Sequence, residues 1–241
     1  MSKINLEAYY SARENWEAAL ANPELLESIL IPTYVFQLNA EEINEFQHLN
    51  DAEDESFRLD MGVYNDQVIL ILVPREEDNE PKTLEEYTYV VLEELNETVQ
   101  LKQFVSYTTK TIELSNDLSV ISETTDTENA SLSEPCLTIE DALQEIVAWK
   151  YEGLNWINDQ AAISQCSNVF RYFIMPYESL VLPNLMVESA TLFFGLRQSE
   201  DRGVSQATMI VLSHHMPMLE LDTEFNYTAN TLNFARPCPP H

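Results

Sequence analysis

Two stretches decide the fold that this sequence predicts: Phe57-Arg58-Leu59-Asp60-Met61-Gly62-Val63-Tyr64 and Ala190-Thr191-Leu192-Phe193-Phe194-Gly195-Leu196. Both are rich in the apolar and aromatic residues that favour β-strands, and each carries one of the four glycines in the chain. A glycine inside a strand usually marks a bulge or a close backbone approach. The matching positions of Gly62 and Gly195 therefore indicate that one structural unit occurs twice.

The elements before each stretch follow the same order. In the first half, apolar residues at three- and four-residue steps predict a helix over Leu6–Leu20. A strand at Tyr34–Leu38 and a short helix capped by Asn39 follow, and the hairpin is completed by the apolar run Val68–Val73.

In the second half, Thr138 caps a predicted helix, and Tyr172–Met175 forms a strand. Pro176–Leu180 is predicted to form a short turn or helix, and Thr208–Leu212 completes the second hairpin. We therefore expect an α+β fold of two divergent copies of a helix–strand–short helix–β-hairpin unit, with antiparallel or mixed sheets. Convergent patterning without duplication is the alternative.

The predicted boundaries place a first repeat at residues 1–136 and a second at 137–241. The first repeat adds a helix over Leu84–Leu101 and an acidic Ser/Thr-rich linker at 115–136, where apolar residues are too sparse to offset the entropy of ordering. Each repeat ends in a Pro-Cys dipeptide, so Cys136 and Cys238 join the two glycines as markers of the repeat. The second ends in an extended Pro-Cys-Pro tail.

The second half resembles a group of bacterial proteins of unassigned function. The shared pattern is a Trp-bearing helix, a strand running into an acidic Pro-x-x-x-Leu turn, a strand ending in an aromatic-Gly-Leu step, an apolar strand and a Pro-Cys-Pro tail. The segments that carry it are Phe173–Leu180, Leu192–Leu196, Met209–Leu212 and Phe234–Pro240. The chain departs from it in the long connection 198–206 and in His241, where a final cysteine is usual. The resemblance implies the fold and no activity.

Charge narrows the classes of partner. Twelve Lys and Arg against 41 Asp and Glu give a formal net charge of −29, and both halves are acidic. Such a field repels phosphate backbones and anionic membranes, so direct nucleic-acid binding and membrane binding are disfavoured. It attracts basic protein surfaces, which favours a protein partner, a basic one included, and leaves a homo-oligomer open.

The compartment is predicted from what the sequence lacks. The first residues do not form the apolar core of a secretory signal, and no window approaches the ~20 apolar residues needed to cross a bilayer. We therefore expect a cytoplasmic protein. The three cysteines lack CxxC spacing, which favours reduced thiols.

No catalytic, cofactor-binding or metal-ligating residue is predicted. The glycines are scattered singly, and GxSxG, HExxH and Cys/His zinc patterns are missing, so the sequence leans away from an enzyme. His214 and His215, placed at a strand end near Glu220 and Asp222, are the one candidate for a general base or metal ligand. A polar pair at a strand end is the alternative.

Aromatic residues on the two helices are the candidate interface. They are Tyr9, Tyr10, Trp16, Trp149 and Trp156. Because their spacings do not all fit one face, some are candidates for anchors at a protein surface, with core packing as the alternative. Three functions remain: a non-enzymatic interaction or assembly protein, an inhibitor, immunity-type protein or DNA mimic that binds a basic partner, and a metal-assisted hydrolase.

Overall fold

A computed structural model describes residues 2–51, 56–95, 97–105, 108–126, 137–166, 168–176, 185–198, 205–217 and 229–238. Its helices are α1 (Leu6–Leu20), α2 (Pro23–Ile29), α3 (Ala40–Leu49) and α4 (Ile139–Ser164). Its strands are β1 (Ser2–Asn5), β2 (Phe36–Asn39), β3 (Ser56–Tyr64), β4 (Gln67–Val73), β5 (Glu86–Val91), β6 (Val99–Val105), β7 (Thr108–Leu114), β8 (Val120–Asp126), β9 (Tyr172–Pro176), β10 (Leu185–Gln198), β11 (Ser205–Pro217) and β12 (Ala229–Cys238). The predicted α+β class is confirmed.

Each helix begins where a polar side chain caps its free backbone N–H groups. The caps are Asn5, Asn22, Asn39 and Thr138, and each side chain accepts a bond from a backbone N–H of the first turn. Asn39 forms the predicted capping box with Glu42. Among the helices in the described ranges, none combines the length and apolar character that crossing a bilayer demands.

Nine strands form one sheet in the order β1-β5-β4-β3-β9-β12-β11-β10-β2, and β6-β7-β8 form a second sheet. All of the ladders described are antiparallel. Val35, just before β2, and Glu93, just after β5, exchange two backbone hydrogen bonds of 2.9 and 3.0 Å. This isolated bridge brings the start of β2 next to the end of β5, while β1 pairs with the preceding residues of β5.

The two halves exchange their short strands. Strand β9 of the second half pairs with β3 of the first, with Leu59 opposite Phe173. Strand β2 of the first half pairs with β10 of the second, with Leu192 opposite Phe36. These two registers match position by position. The two halves therefore share one sheet, and neither half forms a complete sheet from its own strands.

The two glycines have equivalent surroundings. Helix α1 lies over Gly62, where an added Cβ would come within 3.1 Å of Cβ of Ala12. Helix α4 lies over Gly195, where an added Cβ would be 3.1 Å from Cβ of Glu145. Each glycine therefore allows a helix to approach its hairpin closely.

The main core lies between the inward faces of the strands and the helices. Trp16 of α1 and Trp149 of α4 are each 1% exposed and lie in it together, both near the ring of Phe170. Two smaller clusters cover the outer faces of the hairpins. One places Tyr9 and Ala12 of α1 on β4 and β5, and the other places α4 on β10 and β11.

The helix predicted over Leu84–Leu101 is wrong. Its residues form β5 and the start of β6, with Tyr87 and Val90 buried. The three- and four-residue spacing of its apolar residues fits a helix, but the β-favouring run Tyr-Thr-Tyr-Val-Val pairs with both β4 and β1. Sheet pairing therefore overrides the helical period.

The predicted linker at 115–136 is wrong over its first part. Residues 120–126 are strand β8, which pairs with β7 along Thr109–Leu114. The turn that returns the chain has two backbone hydrogen bonds, from the Ser115 N–H to the Ser119 carbonyl and from the Leu118 N–H to the Ser115 carbonyl. A polar strand is stable here because its ladder, more than its own apolar content, orders it. Residues 127–136 lie outside the described ranges.

The structure does not show the two Pro-Cys dipeptides at matching positions. Cys136 lies outside the described residues, and Cys238 pairs with Tyr172 at the end of β12. The corresponding bridge of the first half joins Glu93 to Val35, which makes Glu93 the counterpart of Cys238. The backbone of the tail through Cys238 is extended, as predicted, and lies against β9.

Candidate functional site

A buried carboxylate, Asp60, joins α1 to the outer face of β3. It is fully buried, and its oxygens accept bonds from Arg58 at 2.6 and 3.2 Å. The Tyr9 hydroxyl donates to the same carboxylate at 2.9 Å, and Nε of Arg13 lies 3.2 Å from it. The guanidinium of Arg58 also lies over the Tyr172 ring, with its carbon 3.9 Å from the ring centre.

The ionisation of Tyr9 reflects this environment. Burial, followed by the negative charge of Asp60, raises the pKa of the Tyr9 hydroxyl well above its ordinary value of about 10. The hydroxyl therefore stays protonated and keeps donating to Asp60. Two arginines and one phenol satisfy the carboxylate, which identifies it as a structural anchor for α1.

The second half has its own buried carboxylate at the equivalent contact. Glu145 of α4 lies over Gly195, where Ala12 lies over Gly62 in the first half. Its two oxygens accept bonds from Nε of Arg197 at 2.5 Å and from the Thr208 hydroxyl at 2.7 Å. Both halves thus fasten a helix to a hairpin through an arginine–carboxylate pair, but with different residues.

The cationic side chains that the structure describes are all bonded within the chain. They are Lys3, Arg13, Arg58, Arg75, Lys82, Lys110, Lys150, Arg171 and Arg197. Lys102, Arg202 and Arg236 complete the twelve, and their side chains lie outside the described set. Most described carboxylates, by contrast, are exposed. The surface that remains for a partner is therefore strongly anionic.

A cleft of about 190 Å³ opens between β1, α3, β4 and β5. Its floor is apolar, made by the buried side chains of Phe46, Leu72 and Pro74. The exposed side chain of Leu49 and the partly buried side chain of Leu84 extend this apolar surface outward. The other lining residues are polar or charged: Lys3, Glu45, Glu85, Glu86 and Thr88.

The charges at the cleft do not cancel. Glu45 accepts from Lys3 at 2.7 Å and from the Thr88 hydroxyl at 2.8 Å, and these bonds, Lys3 first, hold the pKa of Glu45 below its ordinary value. Lys3 and Glu45 thus neutralise each other. Glu85 and Glu86 are exposed and leave the cleft with two negative charges.

An acidic turn continues from the cleft. The chain leaves the floor at Pro74 and returns at Leu84, and four exposed carboxylates lie between, at Glu76, Glu77, Asp78 and Glu80. Lys82 pairs with Asp51 and lies 3.9 Å from Glu76, so the single lysine of this segment is already engaged. The turn therefore extends the negative surface of the cleft.

The predicted aromatic interface is mostly buried. Tyr9, Trp16 and Trp149 are 4%, 1% and 1% exposed, so they pack in the core and cannot contact a partner. Trp156 is partly buried, packs against the main core and donates from Nε1 to the Ser205 carbonyl at 2.9 Å. Tyr10 alone of the five is exposed, at 50%. Periodicity placed these residues on helices correctly but could not show that two helix faces meet one core.

The histidine candidate is not at a strand end. His214 and His215 lie inside β11, which continues to Pro217, and His214 is paired with Ser189 on one side and Asn230 on the other. Glu220 and Asp222 lie outside the described residues. Within the described ranges no three His, Cys, Asp or Glu side chains form a group suited to a metal ion. Cys166 is a free thiol 3.6 Å from the Leu20 carbonyl.

No family model, no curated protein and no solved structure matches this chain. Function must therefore be inferred from the charges, burial and shape of the chain itself. Sequence reasoning missed the cleft because β1, α3, β4 and β5 each supply part of it. The available signal was the run of acids between two buried strands, 76–80 and 85–86.

Proposed function

We propose that this protein is a non-enzymatic, acidic protein-interaction module whose partner presents a basic surface. The observation that carries the proposal is the internal use of the cations. Each described Lys and Arg is bonded within the chain, while the exposed surface keeps a large excess of carboxylates. A field of this kind attracts cationic partners and accelerates their encounter.

The buried carboxylates have a structural role, because they are bonded to other groups inside the fold. Asp60 and Glu145 are bonded to arginines beneath the helices, and Glu42 closes the capping box of α3. Such pairs orient helices on hairpins and leave no free acid or base at these points. The groups open to a partner are then the carboxylates of the surface, and recognition through charge is the chemistry that they offer.

The test is affinity capture followed by a quantitative binding measurement. Immobilised full-length protein captures partners from the lysate of its source organism, and each captured protein is purified and titrated against the free chain. The proposal expects a partner with a basic surface and a dissociation constant that rises about tenfold or more between low and physiological salt, because exposed charges are screened.

Two results obtained with a purified partner would overturn the proposal. The first is a purified partner whose surface is neutral or acidic, and the second is an affinity that does not change with salt. If the captured partner is a nucleic-acid-binding protein, and if DNA competes with this chain for it, the result would support acidic recognition in which this chain acts as a DNA mimic. Native mass spectrometry of the purified protein gives its oligomeric state, and a closed homo-oligomer with no affinity for basic proteins would also count against a basic partner.

A further inference from the structure

The cleft between α3 and the β4–β5 connection combines exposed carboxylates with a concave surface. On α2, by contrast, exposed carboxylates such as Glu24 and Glu27 lie on the face of a helix. Here they border a concave apolar floor made by Phe46, Leu72 and Pro74. An apolar floor beneath an anionic rim fits a ligand that joins an alkyl stem to a cationic head.

From this geometry we infer that the cleft receives an arginine side chain from a basic segment of the partner. The inference rests on the proposed function and names its binding site. The methylene stem of arginine lies along Leu49 and Leu84, because long cationic side chains bury their stems on apolar surface and keep the charged end outside. The guanidinium then faces Glu85 and Glu86.

Charge complementarity selects this occupant over others. Lys3 is bonded to Glu45 at 2.7 Å and also lies in the field of Glu86, so this one cation is outnumbered by three carboxylates and the mouth keeps a net negative charge. An anionic peptide or a phosphate would face this excess of carboxylates and an apolar floor. A neutral apolar side chain would fill the floor but leave the carboxylates without a partner.

Arginine fits better than lysine for a geometric reason. Its planar guanidinium offers five N–H donors and reaches two carboxylates at once, whereas an ammonium is a compact point charge that is more strongly hydrated. The acidic turn formed by Glu76, Glu77, Asp78 and Glu80 begins two residues after Pro74, on the floor. Further basic residues of the same partner segment lie along this turn.

The first experiment uses a short fluorescein-labelled peptide of alternating arginine and alanine, read by fluorescence anisotropy with the full-length protein. The cleft variant Glu85→Gln/Glu86→Gln is expected to weaken binding about tenfold, from two exposed ion pairs. The control variant Glu152→Gln/Asp159→Asn removes the same charge from exposed positions of α4 and is expected to change binding by less than about twofold. A peptide with citrulline in place of arginine keeps the shape, loses the charge and is expected not to bind.

A second variant tests the apolar floor without changing any charge. Leu49 is 37% exposed, so Leu49→Ala leaves the fold largely intact. The loss of packing along the arginine stem is expected to weaken binding about threefold to tenfold with an unchanged dependence on salt. Binding by Glu85→Gln/Glu86→Gln, by contrast, is expected to depend less on salt.

The outcomes separate this inference from the proposed function. The cleft is not the site if the wild type binds the peptide and the cleft and control variants lose binding equally, or if neither variant loses it. Either result would leave the proposal of acidic recognition in place. An absence of salt-dependent binding by the wild type would overturn both. Retained binding by the citrulline peptide would overturn the role of the guanidinium.

Discussion

The two buried tryptophans provide a matched pair for testing the fold. Trp16 and Trp149 lie in corresponding helices, each is 1% exposed, and both pack near Phe170. They differ in one bond. Nε1 of Trp16 donates to the Phe170 carbonyl at 3.1 Å, whereas Nε1 of Trp149 is buried without a partner in the structure as described. Phenylalanine at either position removes the N–H and a similar amount of ring.

The expected free energies of unfolding differ because of that bond. Trp16→Phe loses a hydrogen bond worth about 1 kcal/mol and leaves the Phe170 carbonyl without this donor. Trp149→Phe removes an unpaired buried N–H whose desolvation costs about 1–3 kcal/mol, which offsets part of its lost packing. Since the loss of ring area is shared, we expect Trp16→Phe to be less stable than Trp149→Phe by about 2 kcal/mol.

Urea and thermal unfolding, followed by circular dichroism, measure this difference. For a chain of this length, about 2 kcal/mol corresponds to a Tm of Trp149→Phe that is ~4–8 °C above that of Trp16→Phe. Equal stabilities, or a larger loss in Trp149→Phe, would show that the two indoles do not differ in hydrogen bonding as described.

Three further predictions concern the buried contacts of the helices. Tyr9→Phe is expected to reduce the loss of stability at alkaline pH. Above pH ~10 an unfolded tyrosine ionises while folded Tyr9 keeps its proton, so the free energy of unfolding of the wild type falls by up to ~1.4 kcal/mol per pH unit. If wild type and variant lose stability with the same slope between pH 8 and 11, this prediction is wrong. Asp60→Asn is expected to lose about 3 kcal/mol, because two arginines lose their carboxylate, and a loss below ~1 kcal/mol in urea unfolding would contradict this. Gly195→Ala is expected to lower the free energy of unfolding by about 1–3 kcal/mol, and by more than Gly62→Ala does. The new Cβ at position 195 would lie 2.5 Å from the Thr208 hydroxyl, whereas the contacts at Gly62 are all 3.1 Å. Thermal unfolding that ranks the two variants in the opposite order would refute this prediction.

The duplicated architecture was predictable because it left marks in single residues. Gly62 and Gly195 lie where a helix touches a strand, so an added Cβ would be crowded at both, and the caps Asn39 and Thr138 are local signals. The exchange of β2 and β9 between the halves was not predictable, since pairing depends on contacts far apart in sequence.

The errors have a common physical origin. The segment 84–101 carries both a helical period and β-favouring residues, and its neighbours in the sheet decide between them. The aromatic helix residues were open to two interpretations because burial depends on what packs against each face. Trp16 and Trp149 turn out to share one core. The cleft was missed for the same reason, because four separate elements build it.

The most direct test of acidic recognition at the cleft is hydrogen–deuterium exchange on the purified protein with and without its captured basic partner. We predict slower exchange in the complex over residues 74–85 and at the C-terminal end of α3, where the partner's basic segment lies, and no change along α4. Protection confined to α4, or exchange that is identical with and without the partner at 74–85, would contradict the account.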